Sequence, residues 1–100
     1  MKHISLLGST GSIGVNTLEV IRRFPDRFSV CALAAGTNLA LLRKQIVEFK
    51  PRQVSVLNQA LARDLRKMLP GKRKPDIIHG REGPETIACA GEADMVVSAI

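Results

Sequence analysis

The sequence predicts an α/β fold built on a Rossmann-like, doubly wound parallel sheet with helices on both faces. Short apolar runs alternate with longer segments of helical periodicity along the 100 residues, and such alternation is typical of parallel strands joined by right-handed crossovers. A turn with three glycines follows the first apolar run, at the place where sheets of this class bind their ligands. We expect the strand order 3-2-1-4-5, with a ligand crevice outside the C-terminal ends of strands one and four.

Each predicted strand is a short apolar run. The run at 28–35 is almost continuously apolar, as expected for a strand that is covered on both faces. The last run has no helix after it to cover its flank, so we expect the chain to be the front piece of a longer protein, whose catalytic and C-terminal domains lie elsewhere. The predicted strands are 4–8, 28–35, 53–57, 76–79 and 94–100.

Each predicted helix carries apolar side chains at helical spacing between a start and a stop signal. Asn38 and Asn58 are suitable N-caps for the second and third helices. The predicted helices are 12–24, Asn38 to the residue before Pro51, Asn58 to the residue before Pro70, and 84–90. On the first helix the spacing predicts an apolar face of Ile13, Thr17, Val20, Ile21 and Phe24.

Composition limits the chain to one globular domain, residues 1–100, with 45% apolar and 24% charged residues. No apolar run approaches the roughly 18 residues of a membrane span, and the N-terminus lacks the apolar segment of a signal peptide. Cys31 and Cys89 each lie in an apolar stretch, which is typical of buried thiols in a reducing compartment. We therefore predict a cytoplasmic protein without a membrane partner.

The net charge of +6 is concentrated in one segment. Seven basic residues lie between Leu61 and Arg81, against Asp64 and Asp76. Such a segment could be a nucleic-acid footprint, a membrane-surface patch or a solvated face. The segment contains no aromatic residue on which bases could stack. A solvated face is favoured and no nucleic-acid partner is predicted. A basic nucleic-acid-binding module remains an alternative, which a steep salt dependence of binding would support.

The glycine turn at 8–14, G-S-T-G-S-I-G, connects the first strand to the first helix. Its glycines can provide a tight exit from the strand, a backbone that a pyrophosphate can approach, and close helix–strand packing. Free amides at the helix N-terminus attract phosphate. Val15 stands where a Walker-type loop would need lysine. Nucleotide binding is favoured over a merely sharp loop, and Ser9, Thr10 and Ser12 add hydroxyl donors.

The end of the second strand carries no carboxylate. Folds that prefer NAD place Asp or Glu there to bind the ribose hydroxyls, but residues 34–38 read A-A-G-T-N. Because a carboxylate would repel a 2′-phosphate, its absence favours NADP. Thr37 and Asn38 can donate hydrogen bonds to that phosphate, and Arg43 or Lys44 could supply charge. The alternative is that Gly36 is only a turn and Asn38 only a cap.

Together these segments resemble the 1-deoxy-D-xylulose 5-phosphate reductoisomerase family. The resemblance is carried by G-S-T-G-S-I-G at 8–14, F-S-V through A-G-T-N at 28–38, F-K-P at 49–51 and V-S-A-I at 97–100. The first two motifs are specific as a pair. The similarity covers the whole chain but only about the front quarter of a family member.

The resemblance implies the N-terminal NADPH-binding domain of an oxidoreductase. Such an enzyme isomerises and reduces the sugar phosphate deoxyxylulose phosphate to 2-C-methyl-D-erythritol 4-phosphate in non-mevalonate isoprenoid (isoprene) biosynthesis. Magnesium or manganese binding and a homodimer are also implied. By position, the cofactor-binding residues would be Thr10, Gly11, Ser12 and Ile13 at the pyrophosphate, and Gly36, Thr37 and Asn38 at the 2′-phosphate. Thr37 stands where family members often carry Lys or Arg. An NAD(P)-binding domain of another oxidoreductase remains an alternative.

No catalytic or metal-binding residue is assigned within the chain. The resemblance places the metal-binding acids, the substrate-phosphate residues and the lid beyond residue 100, so the chain alone is expected to bind cofactor weakly and to catalyse nothing. Asp94, Glu82 and Glu85 are predicted to cap loops or helices. His79 is predicted to end the fourth strand near the crevice rim as a solvated histidine, and His3 to be structural, at the opposite end of the sheet. Both cysteines are predicted to pack in the core.

Overall fold

Five parallel strands form one sheet in the computed structural model, which describes residues 2–69, 71, 75–80 and 94–99. The strands are β1 (Lys2–Leu7), β2 (Phe28–Ala34), β3 (Gln53–Val56), β4 (Asp76–His79) and β5 (Met95–Ser98). The helices are α1 (Ser12–Arg23), α2 (Leu39–Phe49) and α3 (Gln59–Met68). Each of these elements matches its sequence prediction to within a few residues. The predicted helix 84–90 lies outside the described residues.

The strands lie in the order β4-β3-β2-β1-β5, so the predicted order 3-2-1-4-5 is wrong. β4 pairs with β3 at one edge, whereas β5 pairs with β1. Three successive crossovers therefore run in one direction before the chain reverses between β4 and β5. The short β4 has a single fully buried residue, Ile77, which suits an edge position rather than one covered on both faces. The predicted parallel sheet with β1 in its interior is confirmed, and its switch point lies between β1 and β5.

Side-chain caps begin two of the helices, as the sequence predicts. Asn38 Oδ1 accepts the Leu41 amide at 3.2 Å, and Asn58 Oδ1 accepts the Leu61 amide at 2.9 Å. Such caps each contribute about 1 kcal/mol to helix stability. None of the three described helices is long and apolar enough to cross a membrane.

One large core lies between the sheet and the three helices. Fully buried leucines and valines from every one of these helices and from β1, β2 and β3 meet there, because all three helices pack on the same face of the sheet. We predicted helices on both faces of the sheet. The described helices cover one of these faces. The most buried members are Leu6, Leu18, Leu33, Leu42, Leu65, Val54 and Val56.

The apolar face predicted for α1 is wrong except at Ile21, which is buried as predicted. The helix buries Gly14, Leu18 and Ile21, whereas Ile13 and Val20 are 63% and 52% exposed. A helix with apolar residues on two sides can present either of them to a sheet. Gly14 decides between them, because a glycine permits the closest approach of the helix to the end of β1.

A β-bulge interrupts the pairing of β1 with β2. Ile4 lies opposite Val30 and Ser5 lies opposite Ala32, so Cys31 is the additional residue. The thiol of Cys31 is buried and donates to the Ile4 carbonyl at 3.3 Å. Cys31 therefore packs in the core as predicted, whereas Cys89 lies outside the described residues.

Candidate phosphate-binding site

The glycine turn folds back over the end of β2. Gly8 leaves β1 with φ 82°, a left-handed conformation that glycine adopts without strain. The amides of Gly8 and Ser9 both donate to the Ala34 carbonyl, at 2.8 and 3.0 Å, and the Gly11 amide donates to the Gly8 carbonyl at 3.2 Å. The turn is therefore tied to the last residue of β2.

The glycines of this turn serve different purposes. A β-carbon at position 14 would lie 2.1 Å from the Gly8 carbonyl oxygen, so only glycine fits there. A β-carbon at position 11 would lie 3.6 Å from that same oxygen, an ordinary contact. A β-carbon at Gly36 would meet nothing within 4 Å. Internal packing therefore requires Gly14, but it requires neither Gly11 nor Gly36, and both of these positions leave open backbone for a ligand.

The start of α1 is suited to an anion. Gly11 is the N-cap and provides no side-chain cap, and the first turn contains no acidic residue. The amides of Thr10, Ser12 and Ile13 have no backbone acceptor within the described part of the chain. Unpaired amides at a helix N-terminus carry partial positive charge and bind phosphate groups. Ser12 and Ile13 are exposed and Thr10 is half-buried, so these amides lie at the surface.

The second segment, residues 35–38, leaves the sheet beside this turn. The Ala35 amide donates to the Ser55 carbonyl at 3.0 Å, after which Gly36, Thr37 and Asn38 are exposed. Because the Asn38 cap uses only the side-chain oxygen, its Nδ2 remains a donor. Asn38 therefore caps α2 as predicted, and its role in binding a ligand stays a prediction.

The two segments meet at the C-terminal edge of the sheet. Ala34 accepts the amides of the glycine turn and directly precedes the second segment. On the other side of β1, Leu7 pairs with Ser98, and the Ala99 amide donates to the Leu7 carbonyl at 2.8 Å. The switch-point rule therefore points to the ends of β1 and β5 rather than to β4, so the predicted placement beside the fourth strand is wrong.

Several side chains considered from the sequence lie elsewhere. The hydroxyl of Ser9 is buried and has no partner among the described residues, so it does not add a surface donor. Arg43 Nε donates to the Met68 carbonyl at the end of α3, and Lys44 lines a groove of about 180 Å³ between α1 and α2. His79 ends the edge strand β4, away from the switch point, which corrects its expected place at the crevice rim.

The residues at the opposite end of β1 have structural contacts. Asp94 Oδ2 accepts the His3 amide at 2.8 Å, and the Asp94 amide donates to the His3 carbonyl at 2.8 Å. These bonds fix the start of β5 against β1, in line with the capping role predicted for Asp94 and the structural role predicted for His3. Glu82 and Glu85 lie outside the described residues.

One residue of the site was missed from the sequence. Gln45 on α2 is 5% exposed, and its Nε2 donates to the Ser9 carbonyl at 2.8 Å. The signal was present, because Gln45 is the polar residue on the helix face that also carries Leu42, Ile46 and Phe49. A polar residue on a buried face needs a hydrogen-bond partner, and here the glycine turn provides it.

Comparison with known sequences identifies relatives of the whole chain. A family model described as 1-deoxy-D-xylulose 5-phosphate reductoisomerase matches residues 4–100. The chain is similar to the protein of that name from Geotalea uraniireducens, with 57% identity over 100 residues, and to that from Chlorobaculum tepidum, with 54%. It covers 26% of each of these proteins and therefore spans about a quarter of the length of these relatives.

Solved structures show the same fold. The chain is similar to a structure described as DOX-P reductoisomerase in complex with NADPH, fosmidomycin and magnesium, with a TM-score of 0.89 and 30% identity, and it covers 24% of that chain. It is also similar to a structure of 1-deoxy-D-xylulose 5-phosphate reductoisomerase from Zymomonas mobilis in complex with NADPH, with a TM-score of 0.89 and 31% identity, of which it covers 26%. Nearly all of this chain aligns in both comparisons.

Proposed function

The chain belongs to the 1-deoxy-D-xylulose 5-phosphate reductoisomerase family, and we propose that it is the NADPH-binding domain of such an enzyme. The observation that carries the proposal is the pairing of two open backbone segments at the end of β2. The glycine turn offers amides that have no acceptor in the described part of the chain, and residues 36–38 offer exposed polar groups beside it. Two structures similar to this chain are described as complexes with NADPH.

The residues present fit a dinucleotide with a 2′-phosphate. Thr10, Gly11, Ser12 and Ile13 would hold the pyrophosphate, because their backbone is open and three of their amides have no acceptor among the described residues. Gly36, Thr37 and Asn38 would hold the 2′-phosphate of the adenosine. No carboxylate stands in this second segment to repel it, and the hydroxyl of Thr37 and Nδ2 of Asn38 are hydrogen-bond donors.

The chain would bind and orient the cofactor rather than perform the chemistry. NADPH supplies the hydride for the reduction when it is bound. Magnesium or manganese prefers carboxylate oxygens as ligands, and the described residues contain no group of three or more His, Cys, Asp or Glu that could hold a metal ion. We therefore assign no metal chemistry to the part of the chain that the structure describes.

The reaction is a proposal for the protein of which this domain forms part. We propose that it isomerises and reduces deoxyxylulose phosphate to methylerythritol phosphate, with a divalent metal held by other residues. One similar structure is described as a complex with fosmidomycin and magnesium. The homodimer, the cytoplasmic location, the absence of a nucleic-acid partner and the inactivity of the chain by itself remain predictions.

Cofactor titration of the full-length protein tests the proposal. The fluorescence of each reduced nucleotide is followed as it binds the protein. We expect the change for NADPH to saturate at a lower concentration than the change for NADH. Because a hydrogen bond to a charged phosphate contributes about 1.5–3 kcal/mol, the difference in affinity should be tenfold or more. Equal affinities would favour an NAD(P)-binding domain of another oxidoreductase. Failure to bind either nucleotide would overturn the proposal.

A further inference from the structure

Gln45 joins the two halves of the proposed cofactor site. Its side chain extends from the buried face of α2 and donates to the carbonyl of Ser9, 36 residues away in the sequence, at 2.8 Å. The same helix begins at Asn38, which belongs to the proposed 2′-phosphate segment. The glutamine lies about two helical turns, roughly 10 Å, from that cap. One hydrogen bond and a rigid piece of helix therefore connect the glycine turn to the second segment.

Packing alone does not account for a glutamine at this position. Its Oε1 is buried without a partner among the described residues, and so is the hydroxyl of Ser9. Buried polar groups without partners destabilise a fold, and most are paired. An apolar side chain of similar volume would fill the space without leaving Oε1 unpaired. Among the described residues, the amide nitrogen is the atom of the Gln45 side chain that forms a hydrogen bond, and its partner belongs to the glycine turn.

The bond to Ser9 also determines where the next amide points. In a planar trans peptide the carbonyl of one residue and the N–H of the next point in opposite directions. Because the Ser9 carbonyl is turned inward to Gln45, the Thr10 N–H is turned outward, and it has no backbone acceptor in the described ranges. Gln45 thus presents one of the amides that the proposed pyrophosphate site uses.

We propose that Gln45 is a positioning residue that fixes the orientation of the Thr10 amide and the spacing between the pyrophosphate and 2′-phosphate segments, and that it thereby increases selectivity for NADPH over NADH. The inference rests on the proposed function. Both nucleotides have a pyrophosphate, so loss of the Thr10 orientation weakens the binding of both. Only NADPH would bind the second segment through a phosphate, so loss of the spacing between the two segments weakens the binding of NADPH further.

The test replaces the amide while keeping the volume of the side chain. Gln45→Met in the full-length protein is titrated with NADPH and with NADH, and its Tm is measured. Ile46→Val serves as the matched control, because Ile46 is the neighbouring buried residue of α2 and packs in the core. We expect Gln45→Met to weaken the binding of NADPH about tenfold, the equivalent of one buried hydrogen bond. The binding of NADH should weaken less. Ile46→Val should lower the Tm and leave both affinities unchanged.

Each outcome decides between the proposals. A smaller NADPH-to-NADH affinity ratio in Gln45→Met, with Ile46→Val like the wild type, supports the positioning role. An unchanged ratio, or equal losses in both variants, overturns it. If Gln45→Met does not fold, Gln45→Leu removes the same donor without adding a charge, and failure of both variants to fold would show a purely structural residue. A wild-type protein that does not bind NADPH overturns the proposed function instead.

Discussion

Gly14 of α1 packs so closely against Gly8 at the end of β1 that a β-carbon on Gly14 would lie 2.1 Å from the Gly8 carbonyl oxygen and 2.8 Å from two backbone atoms of Ser9. This contact determines the phase of the helix, because the side that carries Gly14 must face the sheet. Leu18 and Ile21 follow on that side and enter the core. The same contact brings the N-terminus of α1 to the edge of the sheet, where its amides form the proposed site.

Substitution of Gly14 should therefore disrupt both fold and binding. Gly14→Ala places a methyl group against backbone atoms, which cannot move as a side chain can, so the cost should reach the upper part of the range of about 1–3 kcal/mol for overpacked sites. We expect a lower Tm and weakened NADPH binding. Gly36→Ala is the control for stability, because the space around Gly36 is open. Equal Tm values for the two variants would contradict this account of Gly14.

Substitution of Gly11 should separate binding from folding. The backbone at Gly11, with φ −80° and ψ 172°, is one that any residue adopts, and a β-carbon there makes only ordinary contacts. Gly11→Val should thus keep the fold and block the approach of the pyrophosphate. Circular dichroism should match the wild type while NADPH titration shows no saturable binding. Normal affinity in the variant would mean that the turn is only structural.

Thr37 should contribute to the choice between NADPH and NADH. Thr37→Asp adds a carboxylate that repels a 2′-phosphate and can bind ribose hydroxyls, so it should reverse the preference. Thr37→Lys, which adds a positive charge at the proposed 2′-phosphate position, should strengthen NADPH binding and leave NADH binding unchanged. Both effects should reach about tenfold in the ratio of dissociation constants. If the ratio is the same in both variants, the 2′-phosphate does not bind at Thr37.

Local signals in the sequence were sufficient to predict the described helices and strands and to single out the two segments of the candidate site. The Asn38 and Asn58 caps and the glycine turn are each encoded within a few residues, and the structure places them as expected. The strand order was not predictable in this way, because alternating strands and helices do not state in which direction each crossover runs. The short and polar ends of β4 were the available indication of an edge.

The remaining errors concern side chains whose surroundings are formed by distant parts of the chain. α1 has apolar residues on two sides, and only the contact between Gly14 and Gly8 selects one of them. Ser9 was expected to offer its hydroxyl to a ligand, but that hydroxyl is buried. Gln45 acquires its role only when α2 packs beside the turn. Helical spacing could have identified Gln45 as a polar residue on an apolar face. It could not have identified the Ser9 carbonyl as its hydrogen-bond partner.

Glu48 of α2 and Arg22 of α1 form an ion pair whose effect on stability should depend on pH. The guanidinium donates to both carboxylate oxygens, with Nη2 at 2.7 Å from Oε1, and Arg22 lies over the ring of Phe49 at 5.6 Å. The hydrogen bond from Arg22 is the main cause of a lowered pKa of Glu48. Both side chains are nearly half exposed, so the contribution should be small and sensitive to salt.

The lowered pKa of Glu48 determines how the stability of the fold should change with pH. A carboxyl whose pKa is lower in the folded state stabilises the fold above its unfolded pKa of about 4.3, and this stabilisation disappears as the pH falls through the folded value. Glu48→Gln should therefore lower the Tm at pH 7 and have less effect at pH 3, where the wild type has lost part of the same contribution. The difference at pH 7 should also shrink in 1 M salt, where the Debye length is about 3 Å, compared with about 30 Å in 0.01 M salt. A variant that is destabilised equally at both pH values would show that the pair acts through packing and not through charge.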